Sequence, residues 1–235
     1  MVRGKKYIKP RASSSEVSRF LDKLALVPQI KSSSGTGRLM FAMDATASRE
    51  PTWDRACHTQ GEMFKATDAL GGLSVQLVFF RGFGECKNSS WLSASSELVR
   101  RMTSVYCRGG RTQIGKVLNH AIRETKNLKV NALVYVGDSM EEDVDELCHS
   151  AGELGVLGVP IFVFQEGDDI VATQAFKQFA SLTGGAHCRF DGGSANQLRE
   201  LLGAVAVFAA GGLSALKHYG NDAGQVVAQI TSQVK

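Results

Sequence analysis

The chain has 235 residues, 43% apolar and 21% charged, which suits one sizeable α/β domain in an ordinary globular protein. Its net charge of +4 is local: Arg3, Lys5, Lys6, Lys9 and Arg11 precede Ser13 with no acid among them, and the remainder holds 22 basic against 23 acidic residues. A near-neutral body argues against specific nucleic-acid binding. The start lacks the apolar stretch of a signal peptide, and the longest apolar run, residues 201–213, is too short for a membrane span. Five cysteines without CxxC spacing argue against a zinc site or a disulfide framework and point to reduced thiols in a cytoplasmic protein.

Residues 1–12 read as a disordered basic tail. Ser13 and Glu16 have capping-box spacing, and Val17, Phe20, Leu21 and Leu24 then share one helical face. An N-terminal helix and a Ser/Gly-rich linker therefore occupy 13–37. From Arg38 the rhythm changes. Apolar runs at 38–44, 73–80, 131–138, 159–165 and 186–191 suit parallel strands covered on both faces. Helical stretches fall at about 51–70, 94–107, 113–127, 142–155, 172–183 and 194–210, in the rhythm of βαβ units. The long gap between Phe80 and Asn131 has room for an edge hairpin, with a turn expected at Asn88–Ser89. The expected fold is α/β: a Rossmann-like, doubly wound, mostly parallel six-stranded sheet with one antiparallel edge strand and helices on both faces. It spans 38–210, with a C-terminal extension over 211–235.

In such sheets ligands bind beyond the carboxyl ends of the strands, where strand order reverses. Two apolar runs end there in an aspartate, Asp44 and Asp138. Thr46 and Ser48 follow Asp44 at every second position, and Thr112 stands after the Gly109–Gly110 pair at a helix start. If strand order reverses between the two aspartates, two carboxylates and three hydroxyls share one crevice. Such hard oxygen donors suit Mg²⁺, with Mn²⁺ or Ca²⁺ as alternatives, and a divalent cation relieves the repulsion between paired aspartates.

The pattern Asp-x-Thr-x-Ser at 44–48, a Thr after a Gly-Gly loop and an Asp at the next strand end resembles the metal-ion-dependent adhesion site of von Willebrand factor type A (VWA) domains. Thr46 stands where that motif has Ser and keeps the hydroxyl. The resemblance implies that Thr46, Ser48 and Thr112 bind the metal directly and that Asp44 and Asp138 anchor the inner shell. It also implies a protein partner whose Asp or Glu completes the coordination. Arg49, Trp53, Arg111, Ser139 and Met140 are the expected rim that meets this partner.

Three rivals read the same residues differently. "GRTQIGKV" (110–117) nearly matches a P-loop, but Val117 stands where a Ser or Thr must hold Mg²⁺. A haloacid-dehalogenase-like phosphohydrolase with Asp44 as nucleophile needs an acid two residues on, and Thr46 is there instead. A metal-independent scaffold would assemble through the terminal helices. The expected protein is therefore a non-enzymatic binding module.

Overall fold

The computed structural model describes residues 37–53, 73–190, 195–222 and 225–234. The expected tail, N-terminal helix and linker, and most of the helix expected over 51–70, lie outside the described residues.

The strands are β1 (Gly37–Asp44), β2 (Leu73–Arg81), β3 (Glu85–Asn88), β4 (Ala132–Gly137), β5 (Ile161–Glu166) and β6 (Ala186–Phe190). The helices are α1 (Ser95–Thr103), α2 (Ile114–Asn127), α3 (Val144–Val156), α4 (Ile170–Thr183), α5 (Ala195–Asp222) and α6 (Gln225–Gln233). They form a six-stranded sheet in the order β3-β2-β1-β4-β5-β6, parallel except for β3. The chain runs outward from β1 to β3, then returns to pair β4 on the other side of β1. The reversal of strand order therefore lies between β1 and β4.

Side-chain alternation along β1 feeds two cores. Leu39, Phe41 and Met43 pack on one face with Leu98, Met102, Leu201, Val205 and Ile230. Met40 and Ala42 pack on the other with Val117, Leu118, Leu147 and Phe176. Each fully buried Phe, such as Phe41 or Phe162, contributes about 1.5–3 kcal/mol by leaving water.

One expectation is corrected. The edge hairpin turns at Gly82–Gly84 rather than at Asn88–Ser89. Gly82 takes φ +62, which costs a glycine nothing, while the Ser89 N–H donates to Leu77 O and keeps that end inside the ladder. The last helix breaks at the Gly211–Gly212 pair, where the expected stretch over 194–210 ends, and a second helical stretch follows it. Gly212 absorbs the break at φ 70, ψ −167. The segment Glu200–His218 is the one described helix long and apolar enough to cross a membrane, and here Leu201, Leu202, Val205 and Leu216 fill the core. Beyond it, the Gln233 amide accepts from the His187 N–H (2.9 Å) and donates to His187 O (3.2 Å), closing the β6 edge of the sheet.

Candidate metal centre

β1 ends at Asp44 beside Phe80 of β2, and its neighbour Met43 pairs with Val136 of β4. The carboxyl ends of β1 and β4 thus lie side by side, with Asp138 just past Gly137. Backbone bonds then stitch the loop that carries Thr112 to this end. The Ala45 N–H donates to Phe80 O (3.0 Å) and the Arg108 N–H to Ala45 O (3.0 Å), and Thr46 forms an isolated bridge with Arg108. The Arg111 N–H donates to Gly82 O at 3.1 Å. Only glycine fits at 110, because a Cβ there would stand 2.0 Å from Gly82 O.

From the other side, two glutamates fix the start of α2. The Thr112 N–H donates to Glu141 Oε2 (3.0 Å) while Thr112 Oγ1 accepts the Glu141 N–H (3.1 Å). The Glu142 carboxylate accepts the Ile114 and Gly115 N–H groups at 2.6 and 2.9 Å, capping a positive helix end. These glutamates precede α3, which Asp143 caps through the Asp145 and Glu146 N–H groups. Neither role has a local signal in the sequence, because the partners, Thr112 and the first residues of α2, lie 27–29 residues away.

At the centre, Asp44 is 0% exposed. Its Oδ1 accepts the Thr46 N–H at 2.8 Å, and its Oδ2 has no hydrogen-bond partner among the described residues. Burial, with the Asp138 charge adding to it, lifts the Asp44 carboxyl to about 6 against the opposing Thr46 bonds and the Arg49 charge. Thr46 Oγ1 and Ser48 Oγ share a hydrogen bond of 3.1 Å. Thr112 is buried; its hydroxyl oxygen accepts one backbone bond and keeps a second lone pair. A further buried group without a partner, Tyr135 Oη, sits 2.5 Å from where a Cβ on Gly137 would stand. Burial pushes the Tyr135 pKa well above the ordinary phenol value, and the charges of Asp44, Asp138 and Glu142 add to it. Tyr135 escaped sequence reasoning because it sits inside an apolar strand.

This donor set fits a hard divalent cation. A buried carboxylate oxygen with no partner is costly, and a cation removes that cost. Among the described residues no group of three or more His, Cys, Asp or Glu side chains could hold a metal, so an ion here depends on hydroxyl ligands.

The expected rim divides. Arg111 is exposed and Ser139 half-buried, its hydroxyl 3.5 Å from Asp138 Oδ1. Arg49, Trp53 and Met140 are corrected, because they are buried beneath the loops. Arg49 is 1% exposed, with Nε 2.7 Å from Glu166 Oε2 of β5. The Trp53 Nε1–H donates to Val105 O at 2.8 Å, and Met140 joins the α2–α3 core.

Strand order, antiparallel edge and covering helices together define the von Willebrand factor type A fold. Solved structures agree. A von Willebrand factor type A protein from Catenulispora acidiphila superposes with TM-score 0.61 at 13% identity, covering 74% of this chain and 43% of that one. Proximal thread matrix protein 1 from the mussel byssus, with a zinc-occupied MIDAS motif, gives 0.56 at 15%, covering 74% and 46%. Manganese-loaded Plasmodium vivax TRAP protein gives 0.55 at 14%, covering 71% and 72%. This chain thus spans less than half the length of the first two. No protein-family model and no curated protein matches the sequence.

Proposed function

We propose that this chain is a non-enzymatic protein-binding module that holds one divalent cation, Mg²⁺ in the cell, through Asp44, Thr46, Ser48, Thr112 and Asp138. The bound ion supplies a Lewis-acidic position that an Asp or Glu of a partner protein fills. The reading rests above all on Asp44, a fully buried carboxylate whose Oδ2 has no hydrogen-bond partner among the described residues. It draws support from metal-loaded structures of the same fold. In this reading the chain's own groups do the positioning. Glu141 and Glu142 lock the Thr112 end of α2, the Asp44 Oδ1 bond turns the Thr46 backbone, and Arg49–Glu166 holds the segment after Ser48 against β5. Arg111, exposed, and Ser139, half-buried, are the neighbours that select the partner. A contact centred on one ion gives modest affinity, on the order of μM, or about −8 kcal/mol. The cytoplasm is the proposed location, consistent with Cys86, Cys107, Cys148 and Cys188 being free thiols.

Affinity capture from native extract tests this. The expected partner is retained in Mg²⁺ and lost both in EDTA and with Asp44→Ala bait. Retention of the same partner in EDTA would overturn the metal-dependent mode, and Mg²⁺-dependent hydrolysis of a phosphate monoester would overturn the non-enzymatic reading.

A further inference from the structure

A groove of about 510 Å³ runs between edge strand β3 and helix α2, on the flank of the sheet. Cys86, Lys87 and Asn88 line one wall, and Lys116, Asn119, Arg123 and Lys126 line the other. The four α2 residues follow a 3-4-3 spacing, so they form one stripe about 15 Å long. That length matches about five residues of extended chain. Lys126 is paired with Glu153 and Lys87 with Glu85. Lys116 spends its ammonium on neutral acceptors, Gly84 O and Gln113 Oε1. Arg123 has no ion-pair partner among the described residues. Two cations of the stripe are therefore uncompensated.

The other wall offers backbone. The Ser89 N–H donates to Leu77 O, so in an antiparallel ladder Lys87 and Glu85 also face β2 and bond to it. The N–H and C=O groups of Cys86 and Asn88 then point outward. Among the described residues no strand pairs with that side of β3. A lysine on an edge strand, as Lys87 is, ordinarily discourages strand pairing, but Glu85 pairs with it, and the uncompensated cations stand on the facing helix, where they select a partner's charge.

We propose that this groove binds an acidic peptide segment in extended conformation, added as a seventh strand on β3, with its carboxylates at Lys116 and Arg123. Cations spread over such a length suit a linear polyanion better than a single phosphate. The lining holds no Phe, Tyr or Trp on which a nucleobase would stack, and the open backbone edge matches a peptide. This site is separate from the metal centre and works without a metal.

Fluorescence anisotropy with a labelled alternating Glu-Val peptide, on the full chain in EDTA, tests it. Saturable binding is expected, weakened more than about tenfold by Lys116→Glu/Arg123→Glu and by 0.5 M salt. Asn88→Pro, which removes an outward N–H that an edge strand can spare, is expected to weaken binding while leaving the thermal midpoint near that of the parent. Equal binding of a Gln-Val peptide, insensitivity to either variant, or displacement of the peptide by equimolar single-stranded RNA or by inorganic phosphate would overturn the proposal.

Discussion

Asp44 and Glu166 are both buried carboxylates at the carboxyl ends of parallel strands, with β4 between them, yet they are treated differently. Glu166 faces the Arg49 guanidinium at 2.7 Å and accepts a bond from the Thr52 hydroxyl at 3.1 Å. Asp44 has one oxygen bonded to a backbone N–H and the other without a partner among the described residues. The fold has a cation at hand: Arg49 follows Asp44 by five residues, yet its Nε lies against Glu166. The difference teaches that one carboxylate fastens a loop, while the other meets no donor at its Oδ2 among the described residues.

Removing each carboxylate should therefore have opposite consequences. Glu166→Ala leaves Arg49 buried without its ion-pair partner, and urea unfolding should show a loss of about 3–5 kcal/mol. An effect below about 1 kcal/mol would mean that the pair is not buried as described. The next largest effect is metal linkage. Mg²⁺ or Mn²⁺ at about a hundred times its Kd should stabilise the protein by about 2.7 kcal/mol, and Asp44→Asn should abolish that gain without lowering metal-free stability as Glu166→Ala does.

The pH dependence sharpens the contrast in the metal-free protein. Asp44 titrates at about 6 when folded and near 3.8 when unfolded, so the folded state holds the extra proton and Asp44 lowers stability as pH rises through that window. His187, which faces Gln165 Oε1 at 2.9 Å, is pushed by burial, helped by the Lys177 and Arg189 charges, to about 4 from 6.5. There the unfolded state holds the extra proton, and stability falls as pH drops from about 6.5 to 4. The two trends oppose each other. Asp44→Asn should therefore make metal-free stability rise more steeply with pH between 4 and 6.5, whereas His187→Gln should tilt the profile the other way. Parallel profiles for parent and Asp44→Asn would show that Asp44 carries no raised titration. The smallest expected effect is that of Arg111→Ala, within about 0.5 kcal/mol in unfolding, because Arg111 is exposed where Arg49 is not.

The strand ends were legible because an apolar run cut off by a carboxylate, as at Asp44 and Asp138, marks where a buried strand leaves the sheet for solvent. The placement of Thr112 could be read from its glycine pair, whose close approach to Gly82 the structure supplies. What could not be read depended on distant partners. Arginine is normally a surface residue, and the pairing that buries Arg49 comes from Glu166, far along the chain. The hairpin turn was misplaced because Asn88–Ser89 and Gly82–Gly84 both carry turn-forming residues, and only the register of β3 against β2 separates them. The break in α5 could be read from its glycine pair, but the helical stretch beyond it could not, because Ala215 and Leu216 hold it by packing into the core.

Calorimetric titration of Mg²⁺ and Mn²⁺ into the pure chain at pH 7.5, beside Asp44→Asn, bears most directly on the unpartnered carboxylate. The expected isotherm saturates at one ion per chain in the parent and is absent in the variant. No uptake by the parent, or equal uptake by both, would contradict a metal centre built on Asp44.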